Sequence, residues 1–317
     1  MKLYLAPIQG FTSCSFREEI CAINGNLTKV FSPFVDPKRY RKEGEKVLKD
    51  IVKSIEKKQH LIPQVLGSTP EDVVMVLKRF KELGFAEANI NMGCPFPPVA
   101  NKQMGSGLLP FPEKVDAILE ASMTTGIKLS VKTRLGWDSN DELQAVIPIL
   151  NKYDLEEIII HPRNGKQQYK GEVDLQAFEH FAKQIKAPVG YSGDINTVED
   201  FRSLSNRLPF VDSWMLGRGA IANPLLFKAI EQDANHTRKE VALAVKNIHN
   251  NLLAEFCESL SGQSHILHKI KPYWEYFEMA FLPDLKQLVK KTVKAGTLDN
   301  YRNAANDLFA KASREFE

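Results

Sequence analysis

The sequence predicts an α/β protein: a (β/α)8 TIM barrel over residues 1–235, followed by a small all-α domain over residues 236–317. Three observations carry this expectation. Eight short apolar runs recur in the first part of the chain, each followed by a segment with helical cues; near-continuous apolar strands alternating with amphipathic helices indicate a parallel sheet, and eight such units fit a closed barrel. No G-x-G-x-x-G follows the first run, which weighs against the structural alternative, a doubly wound open sheet. After residue 235 the strand signal stops and helical periodicity takes over, with breaks at "SGQS" and "KAGT".

In chain order the runs are "LYLAPI" from residue 3, "LTKVFSPF" from 27, "LIPQVLG" from 61 and "EANINMG" from 87. They continue with "IKLSVKT" from 127, "EEIIIHP" from 156, "APVGYSG" from 187 and "VDSWMLG" from 211. The segment "STPEDVVMVLKRFKELG" shows the helical cues most clearly: a Ser/Thr cap, Pro70 and acidic residues in the first turn, and Gly84 at the end.

Composition is that of a folded globular protein, 43% apolar and 26% charged. The net charge of +3 is compatible with a polyanionic partner without requiring one. The N-terminal apolar run is short and interrupted by Pro7, so it reads as a strand and not as a signal peptide. No run approaches the 18 or so apolar residues of a membrane helix. Cys14, Cys21, Cys94 and Cys257 include no C-x-x-C pair, which argues against a disulfide framework or a metal site and makes the cytoplasm the expected location. Two basic clusters stand out. "KRYRKEGEK" (38–46) follows the second strand, and Lys286, Lys290 and Lys294 recur every four residues with Lys291 beside them. Each reads either as a solvated helix face or as a surface for phosphates.

A barrel of this kind carries its chemistry at the C-terminal ends of the strands. Gln64, Asn89, Asn91, Cys94, Lys132, Arg134, His161 and Arg163 all fall at or just beyond those ends. Lys132 is the most informative, because an unpaired ammonium inside a buried strand costs several kcal/mol or loses its proton. Either a buried carboxylate or a bound anionic cofactor must face it. The seventh strand ends in "SGD" (192–194) and the eighth in "GRGA" (217–220). Glycine backbone there can approach an anion and Arg218 can fork onto phosphate oxygens, at the usual phosphate position of such barrels.

With these elements in place, the chain resembles the tRNA-dihydrouridine synthase family, with its bacterial C-type branch most similar. The resemblance rests on "LAPIQG" (5–10), "QVLGS" (64–68), "NMGCP" (91–95), "GSGLL" (105–109), "VKTRLGWD" (131–138), "HPR" (161–163), "QQYKG" (167–171), "SGDI" (192–195), "GRGA" (217–220) and "NPLLF" (223–227). "HKIKPYWEYF" (268–277) extends it into the tail. The resemblance implies a flavoenzyme that binds FMN in the barrel, takes electrons from NADPH, contacts tRNA through its helical domain and reduces a D-loop uridine to dihydrouridine; a monomer without metal or membrane attachment is expected. It makes Pro7, Gln64, Lys132, His161, Ser192, Gly193, Asp194, Gly217 and Arg218 cofactor contacts. Asn91, Arg134, Arg163, Gln167 and Tyr169 become substrate contacts, and Cys94 the catalytic acid. The chain departs from the family pattern at Ser192, where Asn is common, at Pro97 and Pro98, where basic residues are frequent, and at Pro162.

The acid role suits the residues themselves. An ordinary thiol, with a pKa of about 8.5, is roughly 97% protonated at neutral pH and can still give up its proton. A nucleophilic cysteine would need a cationic neighbour to depress its pKa, and Met92, Gly93, Pro95 and Phe96 offer none. Two other readings stay open: an FMN oxidoreductase similar to dihydroorotate dehydrogenase, and an FMN-containing RNA-binding module without turnover.

Overall fold

The computed structural model describes residues 1–25, 27–57 and 59–316. Among them, eight parallel strands close into a barrel in sequential order, which excludes the open sheet. The strands are β1 (Lys2–Leu5), β2 (Lys29–Val35), β3 (Leu61–Val65), β4 (Glu87–Met92), β5 (Lys128–Gly136), β6 (Glu157–Asn164), β7 (Val189–Ser192) and β8 (Ser213–Leu216). Each coincides with one apolar run of the sequence. β5 and β6 run further than their apolar cores suggest, so that Arg134 and Arg163 lie inside strands instead of beyond them.

Two prolines shape the ladder. The register of β2 on β3 slips between Phe31 and Phe34, where Pro33 has no N–H to give, and the register of β6 on β5 slips between Arg134 and Gly136, opposite Pro162. A proline inside a strand removes a ladder bond and is accommodated at a bulge, which re-aims neighbouring side chains. At the first bulge the Ser32 hydroxyl accepts the Gln64 N–H at 3.1 Å. The helix Pro70–Glu82 follows its sequence cues: Thr69 caps it by accepting from the Asp72 N–H, with Pro70 in the first turn.

The chain divides into two compact units. The first comprises residues 1–9, 28–193 and 205–215. A cluster of Tyr4, Ala6, Phe31, Ile62, Ile159 and Met215 forms part of its core. Beside it, Tyr4 (β1) donates to Glu157 (β6) at 3.2 Å, and Ser213 (β8) donates to the same carboxylate. Burial raises the Glu157 pKa, and the Lys2 N–H donates to the Asp212 carbonyl at 2.7 Å beside β8.

The second unit comprises residues 10–27, 194–204 and 216–317 and is mainly helical. Its long helices are Arg238–Ser259, opened by a Thr237/Glu240 capping box, and Leu298–Glu315. Trp274 and Tyr301 are buried between aromatic neighbours, and Trp274 Nε1 donates to the Tyr301 hydroxyl at 2.8 Å. His249 Nε2 lies 2.7 Å from the same oxygen, and burial lowers the imidazole pKa to about 4. The folded state therefore holds this ring neutral. Its stabilising contribution is complete above the ordinary histidine pKa of about 6.5 and is lost as pH falls toward 4, a cost of about 3 kcal/mol. Melting curves from pH 8 to pH 4 should show His249→Gln starting below the wild type yet declining less steeply with acid; parallel curves would exclude this titration. Among the described residues, no helix is long and apolar enough to cross a membrane.

Candidate active site

The strand register brings the polar residues of β3, β4 and β5 together. Gln64 pairs with Asn89, Asn89 with Ser130, and Asn91 with Lys132. A chain of side-chain hydrogen bonds joins them: Gln64 Nε2 donates to Asn89 Oδ1 at 2.7 Å, Asn89 Nδ2 to Ser130 Oγ at 3.0 Å, and Asn91 Nδ2 to Gln64 Oε1 at 2.8 Å. Each amide is thereby fixed in orientation, since its oxygen accepts where its nitrogen cannot.

Asn91 also fixes the cysteine. Its Oδ1 accepts from the N–H groups of Gly93 at 3.0 Å and Cys94 at 2.8 Å. Ser106 holds the other side of the residue, donating to the Cys94 carbonyl from both its N–H at 3.1 Å and its hydroxyl at 3.0 Å. Gly105 is required for this packing: its φ is +59°, and a Cβ there would lie 2.7 Å from the Cys94 oxygen. Burial is the main cause that pushes the Cys94 thiol pKa up. A backbone hydrogen bond from Phe96 and the charges of Arg134 and Lys132 act in the opposite direction. The resting group is a neutral thiol with cations close enough to receive a thiolate.

Lys132 retains some accessible surface, yet desolvation is the largest cause that lowers its ammonium pKa to about 7. The like charge of Arg134 adds to this, and Cys94 works against it. Among the described residues no carboxylate pairs with Lys132. The carboxylate alternative of the sequence is therefore absent there: Glu157 of the neighbouring strand is committed to Tyr4 and Ser213.

On β6, His161 and Arg163 are both buried, and Arg163 Nη1 lies 3.2 Å from His161 Nε2. An arginine can only donate, so in a hydrogen bond between the two Nε2 is the acceptor. Arg163 Nη2 also donates to the Gly171 carbonyl at 2.6 Å. Gly193, at φ +148°, approaches the His161 ring so closely that a Cβ would meet it at 3.1 Å. Ser192 is buried at the end of β7, and Pro7 lies half-buried just past β1.

Arg134 is only 1% exposed. It donates to the carbonyls of Gly93 at 3.1 Å, Asn164 at 2.9 Å and Gln168 at 2.7 Å, and its guanidinium lies 5.3 Å from the Tyr169 ring centre. Gln167 is engaged within the same loop: its Oε1 accepts the Asn164 N–H at 2.8 Å while its own N–H donates to Asn164 Oδ1 at 3.0 Å. Tyr169 is 50% exposed. In the second unit, Arg218 follows Gly217 at the start of a short helix and donates to Asp194 at 2.7 Å.

Residue-type reasoning does not single out Ser32, Ser106, Asn164 or Gln168. Ser106 had a signal, a G-S-G tripeptide shortly after the cysteine; the other three act through backbone or bulge geometry that spacing does not encode. Within the basic run at 38–46, Arg39 pairs with Glu43 at 3.0 Å and Arg41 with Asp72 at 2.6 Å, while Tyr40 donates to Glu45.

The family model described as "Dihydrouridine synthase (Dus)" matches residues 4–312. The chain is similar to "Probable tRNA-dihydrouridine synthase 2" of Bacillus subtilis (strain 168), 28% identical over 259 residues, or 80% of this chain and 78% of that protein. It is also similar to "tRNA-dihydrouridine synthase B" of Pasteurella multocida (strain Pm70), 27% identical over 232 residues, or 73% and 69% of the two chains. Among solved structures, the old yellow enzyme homologue from Zymomonas mobilis aligns with a TM-score of 0.56 at 12% identity, over 74% of this chain and 90% of that one. Morphinone reductase in complex with tetrahydroNAD aligns with a TM-score of 0.52 at 11% identity, over 74% and 87%. Identities this low bear on the fold alone.

Proposed function

Because this chain belongs to the dihydrouridine synthase family, we propose that it reduces the C5=C6 bond of a D-loop uridine in tRNA, with FMN held at the barrel mouth and NADPH as the source of electrons. The observation that carries this reading is an ammonium, Lys132, which no carboxylate pairs among the described residues and which lies close enough to influence a half-buried thiol, Cys94. An electron-rich, planar ligand fits there: the cation faces it, and Gln64 and Asn91 supply oriented amides. His161 is assigned to the same ligand. The phosphate assignment to Ser192, Gly193, Asp194, Gly217 and Arg218, and the contact of Pro7, rest on the sequence.

The flavin, when bound, supplies the hydride, which adds to C6 of the uracil because C5=C6 is conjugated with the C4 carbonyl. Cys94 then gives its Sγ proton to C5, completing the saturated ring. The thiolate left behind is stabilised by Lys132 and Arg134, the cations that favour the charged form of this thiol, and solvent returns the proton. Asn91, through the Gly93 and Cys94 amides, keeps the thiol in place during the transfer. Arg163, Gln167 and Tyr169 are assigned to the substrate side.

The helical domain, residues 236–317, is assigned to tRNA. Lys286, Lys290, Lys291 and Lys294 are exposed on the helix Lys286–Lys294, and Lys291 pairs with Asp307 at 3.0 Å. Replacing Lys286, Lys290 and Lys294 by Glu should weaken tRNA binding and lower its log–log salt slope by about one unit for each phosphate no longer neutralised. An unchanged slope would remove these lysines from the interface. A cytoplasmic monomer is the expected form.

The deciding experiment is to purify the protein, record the visible spectrum for bound FMN, reduce it with NADPH and follow reoxidation by tRNA lacking dihydrouridine. Reoxidation by that tRNA but not by the modified form supports the function. Reoxidation indifferent to tRNA, or driven by orotate, overturns it.

A further inference from the structure

Arg134 lies beside the proposed acid, yet its hydrogen bonds point into the protein. Its Nε donates to the Gly93 carbonyl, the peptide oxygen immediately before Cys94. Its Nη1 donates to two carbonyls of the segment after β6, Asn164 and Gln168. The face of the guanidinium lies near the Tyr169 ring, in a segment where Gln168 holds a φ of +52°. One side chain thus joins the loop that carries the thiol to the loop that carries an exposed aromatic residue.

The remaining anchors of Cys94 come from its own segment. Asn91 accepts the Gly93 and Cys94 N–H groups, and Ser106 donates to the Cys94 carbonyl. Only the Gly93 carbonyl is held from across the site, and only by Arg134 among the described residues. A lysine could not reproduce this arrangement, because it lacks the planar fork that serves three carbonyls and stacks on a ring. The near-complete burial of Arg134 leaves little of it to meet a substrate.

We propose that Arg134 is a positioning residue: it sets the placement of the Cys94 thiol and ties it to the Asn164–Tyr169 segment, so that nucleoside contact at Tyr169 bears on the thiol. This rests on the reading of Cys94 as the acid, although the coupling itself can be measured without turnover. Arg134→Lys, which keeps the charge, is compared with Arg134→Met and with Tyr169→Ala, an exposed site whose replacement leaves the barrel core untouched. The first readout is the pH profile of iodoacetamide modification at Cys94, followed by peptide mass spectrometry so that the other three cysteines do not interfere. The second is kcat and KM for tRNA.

All three variants should shift the Cys94 alkylation profile, and Arg134→Lys should lower kcat by about 100-fold with little change in KM, the effect expected of a misplacement near 1 Å. Should Arg134→Met fail to fold, Arg134→Lys and Tyr169→Ala still decide the matter. An unchanged alkylation profile together with a raised KM alone would make Arg134 a direct RNA contact and overturn the proposal. Full turnover by Cys94→Ala would instead sink the acid assignment while leaving the alkylation result intact, so the two failures are distinguishable.

Discussion

Cys94→Ala should bind FMN and accept electrons from NADPH as the wild type does, yet reduce tRNA about 10²–10⁴-fold more slowly, the usual contribution of a positioned general acid. The expectation follows from two features. Burial keeps the thiol protonated at rest, and Asn91 and Ser106 hold its backbone from both sides. Because the substitution removes only a sulfur from a segment fixed by its main chain, the barrel should fold unchanged. Cys94→Ser should be nearly as slow, since a hydroxyl is a far weaker acid. Rapid-mixing absorbance separates the two half-reactions, and normal reoxidation in Cys94→Ala would remove the acid assignment.

Lys132→Met should weaken flavin retention, slow flavin reduction, or both, by about 100-fold, the scale of losing a charge-assisted hydrogen bond of about 3 kcal/mol. Its pH dependence is more specific. In the ligand-free protein desolvation brings the Lys132 pKa to about 7. A ligand presenting an electron-rich edge favours the charged ammonium and raises that value. Binding is therefore strongest below about pH 7 and weakens as pH rises above it, by up to tenfold per unit until the pKa of the bound state is reached. Titrations from pH 6 to pH 9 should show this slope in the wild type and lose it in Lys132→Met. Identical slopes would mean that the cation faces something else.

Much of this architecture was legible because burial leaves a simple trace. A strand covered on both faces needs apolar residues throughout, so all eight strands surface as apolar runs. Against that background Lys132 is conspicuous, since an ammonium in such a strand demands an explanation. The reach of β5 and β6 was less legible, because beyond Thr133 and His161 the ladder continues through Arg134 and Arg163, residues with no strand signature. The role of Arg134 was obscured for a related reason. Sequence shows a charge near a site, but whether that charge meets a ligand or three of the protein's own carbonyls depends on the bulge at Pro162 and the turn at Gln168. In the basic run at 38–46, spacing could not show that Arg41 reaches Asp72, which lies on another helix.

The junction of Tyr4, Glu157 and Ser213 has a consequence for biogenesis. One carboxylate receives a phenol from the beginning of the chain and a hydroxyl from more than 200 residues later. As the polypeptide emerges from the ribosome, β1 has only β2 for company and presents a bare edge until β8 is translated. Exposed edges invite pairing with other chains. Fragments released before residue 213 should therefore aggregate or recruit chaperones, and a stalled-translation series should show protease resistance arising only once that segment has cleared the exit tunnel.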